Sequence, residues 1–552
     1  MRKSNFKRLL AAVLLVVVAG GFLYGHREDF GLGRNMELTV NMMRELSLNY
    51  VDSVDTDKLM KDAAAGMVRN LDPYTEFIPE KEMSDFEVLT TGKYGGIGSI
   101  IHKKGDYVII TQPYENSPAD KAGLKIGDRI LKIGEEDAKG FTVEEVSSRL
   151  KGDPNTAIRL TIESLDGTVR ELQLMRERIS IPAISYVGWV ADGVGYIRHD
   201  DFTDSCAAEL RAAIEQLKKE GDLQSLVIDY RGNGGGFMQE AVKIVGLFTP
   251  RGTEVVRTKG RTEEKSYKTT TDPAYPDLRL VLLVNSNSAS ASEIVAGSLQ
   301  DMDRAVLVGQ RTLGKGLVQT TLSLGYNAML KLTTAKYYIP SGRCIQEIDY
   351  SHSQQGTVRQ IPDSLIREFK TRGGRKVYDG GGIMPDVKLE PQYISRFAAT
   401  LYALGFIEDF GDDYIRRNGY RTIDNKRFEI TEQDFADFVR FMEDKEVPYE
   451  SETRQALELI KKAAKNDRFI EIEQQITALE AELKDDTKTN LETYRQEVTE
   501  AITNDLILRH SYQRGVTEHS LEQDRELKRA LELLADTTEY ARILREQDTA
   551  RK

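Results

Sequence analysis

The sequence has 552 residues, of which 40% are hydrophobic and 30% are charged, and its formal net charge is −12. This length is too great for a single hydrophobic core and predicts three or four domains of about 100–200 residues each. Acidic residues outnumber basic ones, and the sequence has no stripe of basic residues that could bind a phosphate backbone. Nucleic acid is therefore not expected as a partner.

The numbers and spacing of cysteine and histidine argue against a disulfide framework and against a metal site. The two cysteines, Cys206 and Cys344, exclude a disulfide framework. A single bridge remains open in an oxidising compartment, but two unpaired thiols are the favoured interpretation. The six histidines form no cluster with metal-ligand spacing, so no metal is predicted.

The N-terminus has the pattern of an export signal. Four basic residues within the first eight positions precede an apolar run from Leu9 to Val18 and the small residues that begin at Ala19. We therefore predict that residues 1–26 are a signal peptide or an uncleaved membrane anchor. The protein is expected in the bacterial periplasm or cell envelope, either released or anchored in the inner membrane. A soluble core helix is disfavoured by the basic flank.

Residues 34–87 are predicted to be an N-terminal helical segment. Apolar side chains recur at helical spacing in two stretches, around Val40 and around Ala63. The helical pattern ends at Pro73, which cannot continue a helix.

Residues 88–178 change to short strands and turns. The order of a glycine-rich loop, Ser117-Pro-Ala and Gly127-Asp resembles a PDZ domain. The resemblance implies that the loop binds a peptide carboxylate through backbone N–H groups, and that the edge of the next strand pairs with the peptide. The predicted peptide-binding loop consists of Gly95, Gly96, Ile97 and Gly98.

Two further regions follow. Residues 179–392 alternate strand and helix patterns, which predicts an α/β domain with its site among the loops at the carboxyl ends of the strands. Residues 393–552 are rich in charged amphipathic helices and carry no catalytic motif. For that helical region, a solvated surface and a docking or oligomerisation segment both remain open.

A serine-rich segment lies between a buried strand and a helix. The apolar strand 280–284 runs into serines at positions 286, 288, 290 and 292 and then into a small-residue helix. A serine at a helix N-terminus suits nucleophilic catalysis, because free N–H groups and the helix dipole stabilise an oxyanion. Ser290 with Glu293 also forms the pattern of a capping box, so a purely structural cap is the alternative, and the choice among the serines stays open.

A lysine flanked by glycines forms the second candidate. Lys315 lies between Gly314 and Gly316, and an alternating strand pattern places Lys315, Leu317 and Gln319 on one face. If that face points into the site, Lys315 can act as a base that Gln319 holds by a hydrogen bond; otherwise both are exposed polar residues. A basic lysine must be neutral, so its pKa has to fall by about 3 units from the reference value of about 10.4.

A glycine run after a buried strand is the third candidate. The segment Asp229-Tyr-Arg-Gly-Asn-Gly-Gly-Gly236 does not fit the dinucleotide-binding fingerprint, because Phe237 occupies the position of the last glycine. An oxyanion-hole N–H is the better interpretation of the run.

Together these motifs closely resemble the carboxyl-terminal processing peptidases, also called tail-specific proteases. The matching text also includes Leu71-Asp-Pro-Tyr-Thr and Pro340-Ser-Gly. The resemblance implies a multidomain fold of N-terminal helices, a PDZ domain, an α/β serine-peptidase core of the crotonase/Clp-protease type and a helical C-terminal region. It further implies an endopeptidase that cleaves exported proteins near their C-termini through an acyl-enzyme, without a cofactor.

The family pattern assigns roles by position. It implies Ser290 as the nucleophile, Lys315 as the general base and Gln319 as its orienting partner. The implied oxyanion hole combines the Ala291 N–H with that of Gly235 or Gly236. The choice of glycine is open because Gly232 and Gly234 stand where the family often has asparagine and proline. The implied supporting residues are Asp301 and Arg304.

Expected partners are polypeptides with apolar C-terminal tails, with an adaptor protein and a homo-oligomer through the helical regions as further expectations. The main alternative is a non-catalytic PDZ binding scaffold in the cell envelope. An acyl-CoA enzyme is disfavoured by export. A Ser-His-Asp hydrolase would have to use His199 beside Asp200 and Asp201.

Overall fold

The computed structural model describes residues 31–350, 359–360, 363–468, 470–483 and 486–545, so the predicted export signal lies outside the described residues. Contacts divide the chain into two units. The first contains Met1–Met83, Gln319–Thr333 and Tyr350–Val358, and the second contains Ser84–Val318, Thr334–Asp349 and Arg359–Lys552. No helix within the described ranges is both long enough and apolar enough to cross a membrane.

The described helices and strands are as follows. The helices are α1 (31–49), α2 (Thr56–Val68), α3 (Met83–Thr91), α4 (Pro118–Lys121), α5 (Val143–Leu150), α6 (Cys206–Glu220), α7 (Met238–Gly246), α8 (Ala291–Asp301), α9 (Arg396–Ala403), α10 (Phe406–Asn418), α11 (Glu432–Phe441), α12 (Glu452–Asp467), α13 (Ile470–Glu482), α14 (Thr487–Thr493), α15 (Arg495–Ser520), α16 (Arg525–Ala535) and α17 (Thr537–Arg545). The strands are β1 (Glu76–Ile78), β2 (Lys93–Gly96), β3 (Ser99–Lys104), β4 (Tyr107–Pro113), β5 (Arg129–Ile133), β6 (Glu136–Asp137), β7 (Ala157–Glu163), β8 (Val169–Met175), β9 (Glu177–Ser180), β10 (Ile184–Ala191), β11 (Val194–His199), β12 (Ser225–Asp229), β13 (Glu254–Gly260), β14 (Glu264–Lys268), β15 (Arg279–Val284), β16 (Val306–Gly309), β17 (Leu317–Gly325), β18 (Ala328–Tyr338), β19 (Ile348–Asp349), β20 (Arg359–Gln360), β21 (Glu368–Lys370), β22 (Lys376–Tyr378) and β23 (Val387–Lys388).

In the first unit, the predicted helical spacing produces α1 and α2. The Asp55 carboxylate caps α2 by accepting hydrogen bonds from the N–H groups of Asp57 and Lys58 in the first turn. The helical pattern stops before Pro73, and the Asp72 carboxylate accepts hydrogen bonds from the N–H groups of Tyr74 and Thr75. This turn leads into β1, which pairs antiparallel with residues 329–331 of β18.

In the second unit, the segment predicted as a PDZ domain forms an antiparallel sheet in the order β3-β4-β5-β7-β8, with β6 beside β5. Its core is apolar, with Val108, Ile110, Ile130 and Leu160 fully buried. Strand β3 lies at the edge of this sheet. Helix α5 begins at a capping box formed by Thr142 and Glu145 and buries its apolar face in the same core.

The predicted α/β alternation forms a six-stranded sheet in the order β10-β11-β12-β15-β16-β23. The five strands from β11 onward are parallel, and β10 is antiparallel to β11. Leu226 and Ile228 of β12 pack with helices α6, α7 and α8 on one face, while Val227 packs on the other. The strands read as continuous apolar runs because both faces of the sheet are buried.

Helices from the C-terminal region cover the second face of that sheet. Leu527, Leu533 and Leu534 of α16 and Tyr540 of α17 are buried against Val227 and its neighbours. The Tyr540 hydroxyl donates to the Leu280 carbonyl at 2.9 Å, within the strand β15. This part of the helical region is therefore core of the α/β domain.

Helices α10 and α15 of the C-terminal region contact the PDZ-like sheet through a cluster of charges. The Arg509 side chain, on α15, is fully buried and donates to Asp505 at 2.6 Å and to Asp412 at 2.7 Å. Lys104, at the end of β3, donates to Asp412 at 2.7 Å. Burial would lower the pKa of the Arg509 guanidinium, but Asp505 and Asp412 outweigh it and raise that pKa above its ordinary value.

We predict that Arg509→Met lowers the free energy of unfolding by about 3–5 kcal/mol, because it leaves the largely buried Asp505 carboxylate without its cation and Asp412 with Lys104 alone. Urea denaturation followed by circular dichroism measures this loss. The matched control is Arg417→Met on α10, whose side chain is 41% exposed in its ion pairs, and this change should cost at most about 1 kcal/mol. Equal losses in the two variants would contradict the prediction.

Candidate active site

Ser290 differs in its surroundings from the other serines of the segment, which lie at positions 286, 288 and 292. Ser288 and Ser292 are fully buried. The Ser288 hydroxyl donates to the Tyr230 carbonyl at 2.8 Å, and the Ser292 hydroxyl donates to the Asn233 carbonyl at 3.0 Å. Ser286 is exposed, whereas Ser290 is half-buried at the start of α8. Ser288 and Ser292 therefore hold the glycine-rich turn in place.

The backbone of Ser290 has an unusual conformation. Its φ is 55° and its ψ is −112°, and a positive φ is strained for a residue with a side chain. The Glu293 carboxylate accepts a hydrogen bond from the Ser290 N–H at 2.8 Å, which is one half of the predicted capping box. An ordinary N-cap has an extended backbone, so a simple cap does not account for this strain.

The Glu293 carboxylate joins the two predicted catalytic segments. Its Oε2 accepts hydrogen bonds from the N–H of Ser290 at 2.8 Å and from the N–H of Lys315 at 2.9 Å. Its Oε1 accepts from the Thr312 hydroxyl at 2.6 Å and from the Gly314 N–H at 2.7 Å. The side chain is fully buried, and burial raises the pKa of Glu293 despite these four donors. One carboxylate thus fixes the backbone of residue 290 beside that of residue 315.

A tyrosine makes a second link between the same two residues. The Tyr337 hydroxyl lies 2.5 Å from the Lys315 carbonyl oxygen and 3.1 Å from the Ser290 carbonyl oxygen. The Tyr337 N–H donates to the Gly316 carbonyl at 3.0 Å. Strand β17 begins at Leu317, so the prediction that placed Lys315 in this strand with Leu317 and Gln319 is wrong for Lys315. Lys315 lies in the preceding loop, because Glu293 and Tyr337 bind its backbone groups.

The glycine run lies directly against Ser290. A Cβ atom on Gly235 would lie 2.8 Å from the Ser290 Cβ and 2.7 Å from the Ala291 nitrogen. Gly235 also has a φ of 89°, which favours glycine. Only a residue without a side chain allows this approach, so the glycine run and the serine segment share one site.

The backbone N–H groups of the glycine run and of the start of α8 differ in whether they already donate a hydrogen bond. The Gly235 N–H donates to the Asn233 side-chain oxygen at 2.9 Å. The Asn233 side-chain amide in turn donates to the His199 carbonyl at 2.7 Å. Among the described residues, neither the Gly236 N–H nor the Ala291 N–H has a hydrogen-bond acceptor. The N-terminus of α8 therefore leaves the Ala291 N–H available next to Ser290, and the glycine run leaves the Gly236 N–H available.

Comparison with known proteins places these features in a family. The profile of peptidase family S41 matches residues 193–352, a PDZ domain profile matches 109–164, and the C-terminal helical domain of a probable PDZ-protease matches 397–534. A carboxy-terminal-processing protease of Bartonella bacilliformis is 35% identical over 317 residues, covering 56% of this chain and 72% of that protein. A probable CtpA-like serine protease of Staphylococcus aureus is 33% identical over 344 residues, covering 61% and 68%.

The chain belongs to the carboxy-terminal-processing peptidases. It is thus a member of a serine peptidase family with a PDZ domain, and the predicted family and fold class are confirmed. Among solved structures, a photosystem II D1 C-terminal processing protease is 26% identical, with a TM-score of 0.35, and the match covers 64% of this chain and 93% of that one.

The predicted supporting residues of this family member have structural contacts. The Asp301 carboxylate, at the end of α8, is buried and pairs with the buried Arg343 guanidinium at 2.8 Å. It also accepts from the Ser341 N–H at 2.9 Å. Arg304 donates to the carbonyls of Phe248 at 3.0 Å and Tyr275 at 2.9 Å. Both residues fix the far end of α8.

Gln319 belongs to the first unit. Its side-chain amide donates to the Thr333 hydroxyl at 3.1 Å, and that hydroxyl donates to the Asp72 carboxylate at 3.1 Å. These bonds fix the amide of Gln319 within its own unit. Its role in orienting Lys315 remains a prediction.

The predicted peptide-binding loop lies between a strand pair and the PDZ edge strand. Gly95 and Gly96 belong to β2, which pairs with β9. Ile97 is buried, and its carbonyl accepts from the Ala119 N–H at 2.8 Å. Gly98 has a φ of 78° and directly precedes the edge strand β3. The loop therefore directly precedes the edge strand, and peptide binding by the loop remains a prediction.

His199 does not have the surroundings of a catalytic histidine. It is fully buried, and within the described residues neither ring nitrogen has a hydrogen-bond partner. Its ring packs edge-on against those of Phe202 and Tyr230. Burial lowers the pKa of His199 from 6.5 to about 3. The alternative of a Ser-His-Asp triad therefore has no support from the geometry.

The two cysteines are not joined to each other. Cys206 is buried in α6, and Cys344 is partly buried. In the described ranges, no group of three or more His, Cys, Asp or Glu side chains could hold a metal ion.

We predict that Glu293→Gln lowers peptidase kcat/KM by about 100-fold, because an amide group would face backbone donors and displace residues 290 and 315. Assays with a peptide substrate measure this loss. The matched control is Glu240→Gln, which changes another buried glutamate in the first turn of a helix, α7. Similar activity losses in both variants would contradict the prediction.

We predict that His199→Phe removes a pH dependence of stability. The folded protein binds a proton at His199 less readily than the unfolded chain does, so stability falls as the pH drops below 6.5. At pH 5 the loss is about 2 kcal/mol. Urea denaturation of the wild type and of His199→Phe, at pH 8 and at pH 5, measures this loss. The difference in the free energy of unfolding between the two proteins at pH 8 is the reference. If both proteins lost the same free energy of unfolding between pH 8 and pH 5, His199 would not be responsible for the loss.

Proposed function

We propose that this protein is a serine endopeptidase that cleaves exported proteins near their C-termini, with Ser290 as nucleophile and Lys315 as general base. The observation that carries the proposal is the double link between these residues. One oxygen of Glu293 accepts both backbone N–H groups, and the Tyr337 hydroxyl lies within 3.1 Å of both carbonyl oxygens. Two segments 25 residues apart in sequence are thus held together at a helix N-terminus.

Ser290 is the serine that is suited to attack a peptide carbonyl. Ser288 and Ser292 use their hydroxyls to hold the glycine turn. Ser290 instead has a strained backbone at the start of α8, where the helix dipole favours a developing negative charge. Lys315 takes the hydroxyl proton, passes it to the leaving amine and then activates the water that releases the acyl group.

For the oxyanion hole we propose the N–H groups of Ala291 and Gly236. Both groups lack an acceptor among the described residues. The Gly235 N–H already donates to Asn233, which favours Gly236 over Gly235 as the donor. Gly235 then serves the site through its missing side chain, which lets the turn approach Ser290.

Substrate selection is proposed to occur in the PDZ domain. The edge strand β3 can add a strand from an extended tail, and the preceding loop can bind the terminal carboxylate. An apolar tail would pack between β3 and α5. The basic and apolar N-terminus supports an exported enzyme, and an adaptor protein and a homo-oligomer remain predictions.

We predict that Ser290→Ala abolishes cleavage of an unfolded protein with an apolar tail, while Ser286→Ala retains full activity because that side chain is exposed. Mass spectrometry of the products and initial rates measure both. Cleavage by Ser290→Ala at the wild-type rate would contradict the proposal. Loss of cleavage in Ser290→Ala also excludes the alternative of a non-catalytic scaffold.

We predict that Lys315→Arg is as inactive as Lys315→Ala, because a guanidinium keeps the positive charge but does not give up its proton near neutral pH. Initial rates for both variants measure this, and the wild-type rate should rise from neutral to alkaline pH. Retained activity in Lys315→Arg would show that only the charge is needed.

We predict that a peptide with an apolar tail binds Ser290→Ala at least about tenfold more tightly than the same peptide with a C-terminal amide, since the amide removes the carboxylate charge. Fluorescence anisotropy measures the two Kd values. Equal Kd values would contradict recognition of the terminal carboxylate.

A further inference from the structure

The turn that carries the glycine run begins at an arginine held by acids from the far end of the chain. Arg231 follows β12, and its side chain is only 17% exposed. Its Nη2 lies 2.5 Å from an Asp229 oxygen and 2.5 Å from an Asp524 oxygen. Its Nη1 lies 3.3 Å from the Glu526 carboxylate. Asp524 and Glu526 therefore supply two of the three carboxylates around this guanidinium.

These acids belong to a helix that is firmly packed on the sheet. Asp524 caps α16 by accepting a hydrogen bond from the Leu527 N–H at 2.8 Å. Leu527 and Leu533 are buried against the second face of the sheet. The side-chain amide of Gln310, after β16, donates to the Glu526 carboxylate at 3.3 Å. The acidic end of α16 is thus held at the carboxyl edge of the sheet, where the site lies.

Both the backbone N–H and the side chain of Arg231 donate hydrogen bonds to Asp229. The Arg231 N–H and Nε each donate to Asp229 Oδ1 at 2.9 Å, and the Tyr196 hydroxyl donates to Asp229 Oδ2 at 2.6 Å. Gly232, the next residue, donates its N–H to the Asn285 side chain at 3.0 Å. No regular element separates Arg231 from Gly236. A shift of the guanidinium would therefore move the turn that approaches Ser290.

We infer that the C-terminal helical region positions the oxyanion turn, through Asp524 and Glu526 acting on Arg231. This inference rests on the proposed function, because it assigns Gly232–Gly236 to the oxyanion site. Asp524, Glu526 and Arg231 are positioning residues and do not touch the substrate. The C-terminal region of this peptidase then completes the catalytic core rather than serving only as a docking segment.

The charges explain why two acids from α16 are needed. Asp229 is fully buried and faces two arginines, Arg231 at 2.5 Å and Arg198 at 3.6 Å. Burial would raise the pKa of Asp229, but the two arginines outweigh it and lower that pKa. Arg198 also pairs with Asp200 at 2.9 Å, so Asp229 mainly serves Arg231. Without Asp524 and Glu526, Asp229 would be the one carboxylate left on the Arg231 guanidinium. Arg231 would keep its bonds to Asp229, but its Nη1 would lose both carboxylate partners, Asp524 and Glu526. The guanidinium would then be held on one side only, which would loosen the turn of residues 232–236.

The test uses the full-length chain with Asp524→Asn and Glu526→Gln combined. Asparagine keeps the helix cap and glutamine keeps the shape, so the changes remove charge alone. The matched control is Asp536→Asn, because Asp536 is an exposed aspartate that accepts from the N–H groups of Thr538 and Glu539 at the start of α17. Asp524→Glu serves as the conservative variant that restores the charge.

We expect kcat per titrated active site to fall roughly tenfold in the double variant, with KM unchanged. Asp536→Asn should have wild-type kcat, and the variant with Asp524→Glu alone should stay near it. Hydrogen exchange in the peptide that spans residues 230–237 should be faster in the double variant only. The Tm should stay within a few degrees of that of the control, since only a general loss of structure would lower it further.

Each outcome separates the inference from the proposed function. If the double variant matches Asp536→Asn in kcat and in hydrogen exchange, the positioning role is wrong while the peptidase assignment stands. If the activity loss is matched by a loss of titratable active sites, the role is one of stability alone, and the inference is overturned. If the wild type shows no Ser290-dependent cleavage, the proposed function fails, and faster exchange in the double variant would still support the link between α16 and the turn.

Discussion

The buried carboxylate of Glu293 is the interaction on which the site depends. A carboxylate removed from water is costly unless its oxygens are satisfied, and here four donors from residues 290, 312, 314 and 315 satisfy them. The donors come from a helix start and from a loop that follows a different strand. The cost of leaving any of them unpaired keeps the two segments in one arrangement, which is the rigid support that the proposed catalysis requires.

The peptidase sheet depends on helices from two distant parts of the chain. Helices α6, α7 and α8 lie on one face and arise within the same domain. The other face is covered by α16 and α17, which begin more than 130 residues after the last strand of the sheet. A parallel sheet has to be buried on both faces, so the C-terminal region is required for the fold of the core. The same region contacts the PDZ domain through Arg509, Asp412 and Lys104.

The serine segment shows how far local pattern reasoning extends. The Ser290 and Glu293 spacing correctly predicted a helix start and a hydrogen bond from the Ser290 N–H to the Glu293 carboxylate. The same glutamate also accepts a hydrogen bond from the Lys315 loop. No local sequence pattern predicts a contact between residues that are 22 positions apart. Tyr337 was missed for the same reason, because a tyrosine in a strand is ordinary until its hydroxyl is seen between two carbonyl groups.

By itself, the sequence determined the order of the regions, the buried strands and the three motifs, because apolar periodicity and glycine position report local backbone preferences. It also carried the family resemblance that ranked Ser290 above its neighbours. Only the tertiary structure decided which partners the polar groups take: Asn233 for the Gly235 N–H, Glu293 for the Lys315 loop and Asp524 for Arg231. Such pairings depend on chain segments brought together by packing, and a hydrogen bond between distant segments leaves no spacing in the sequence to reveal it.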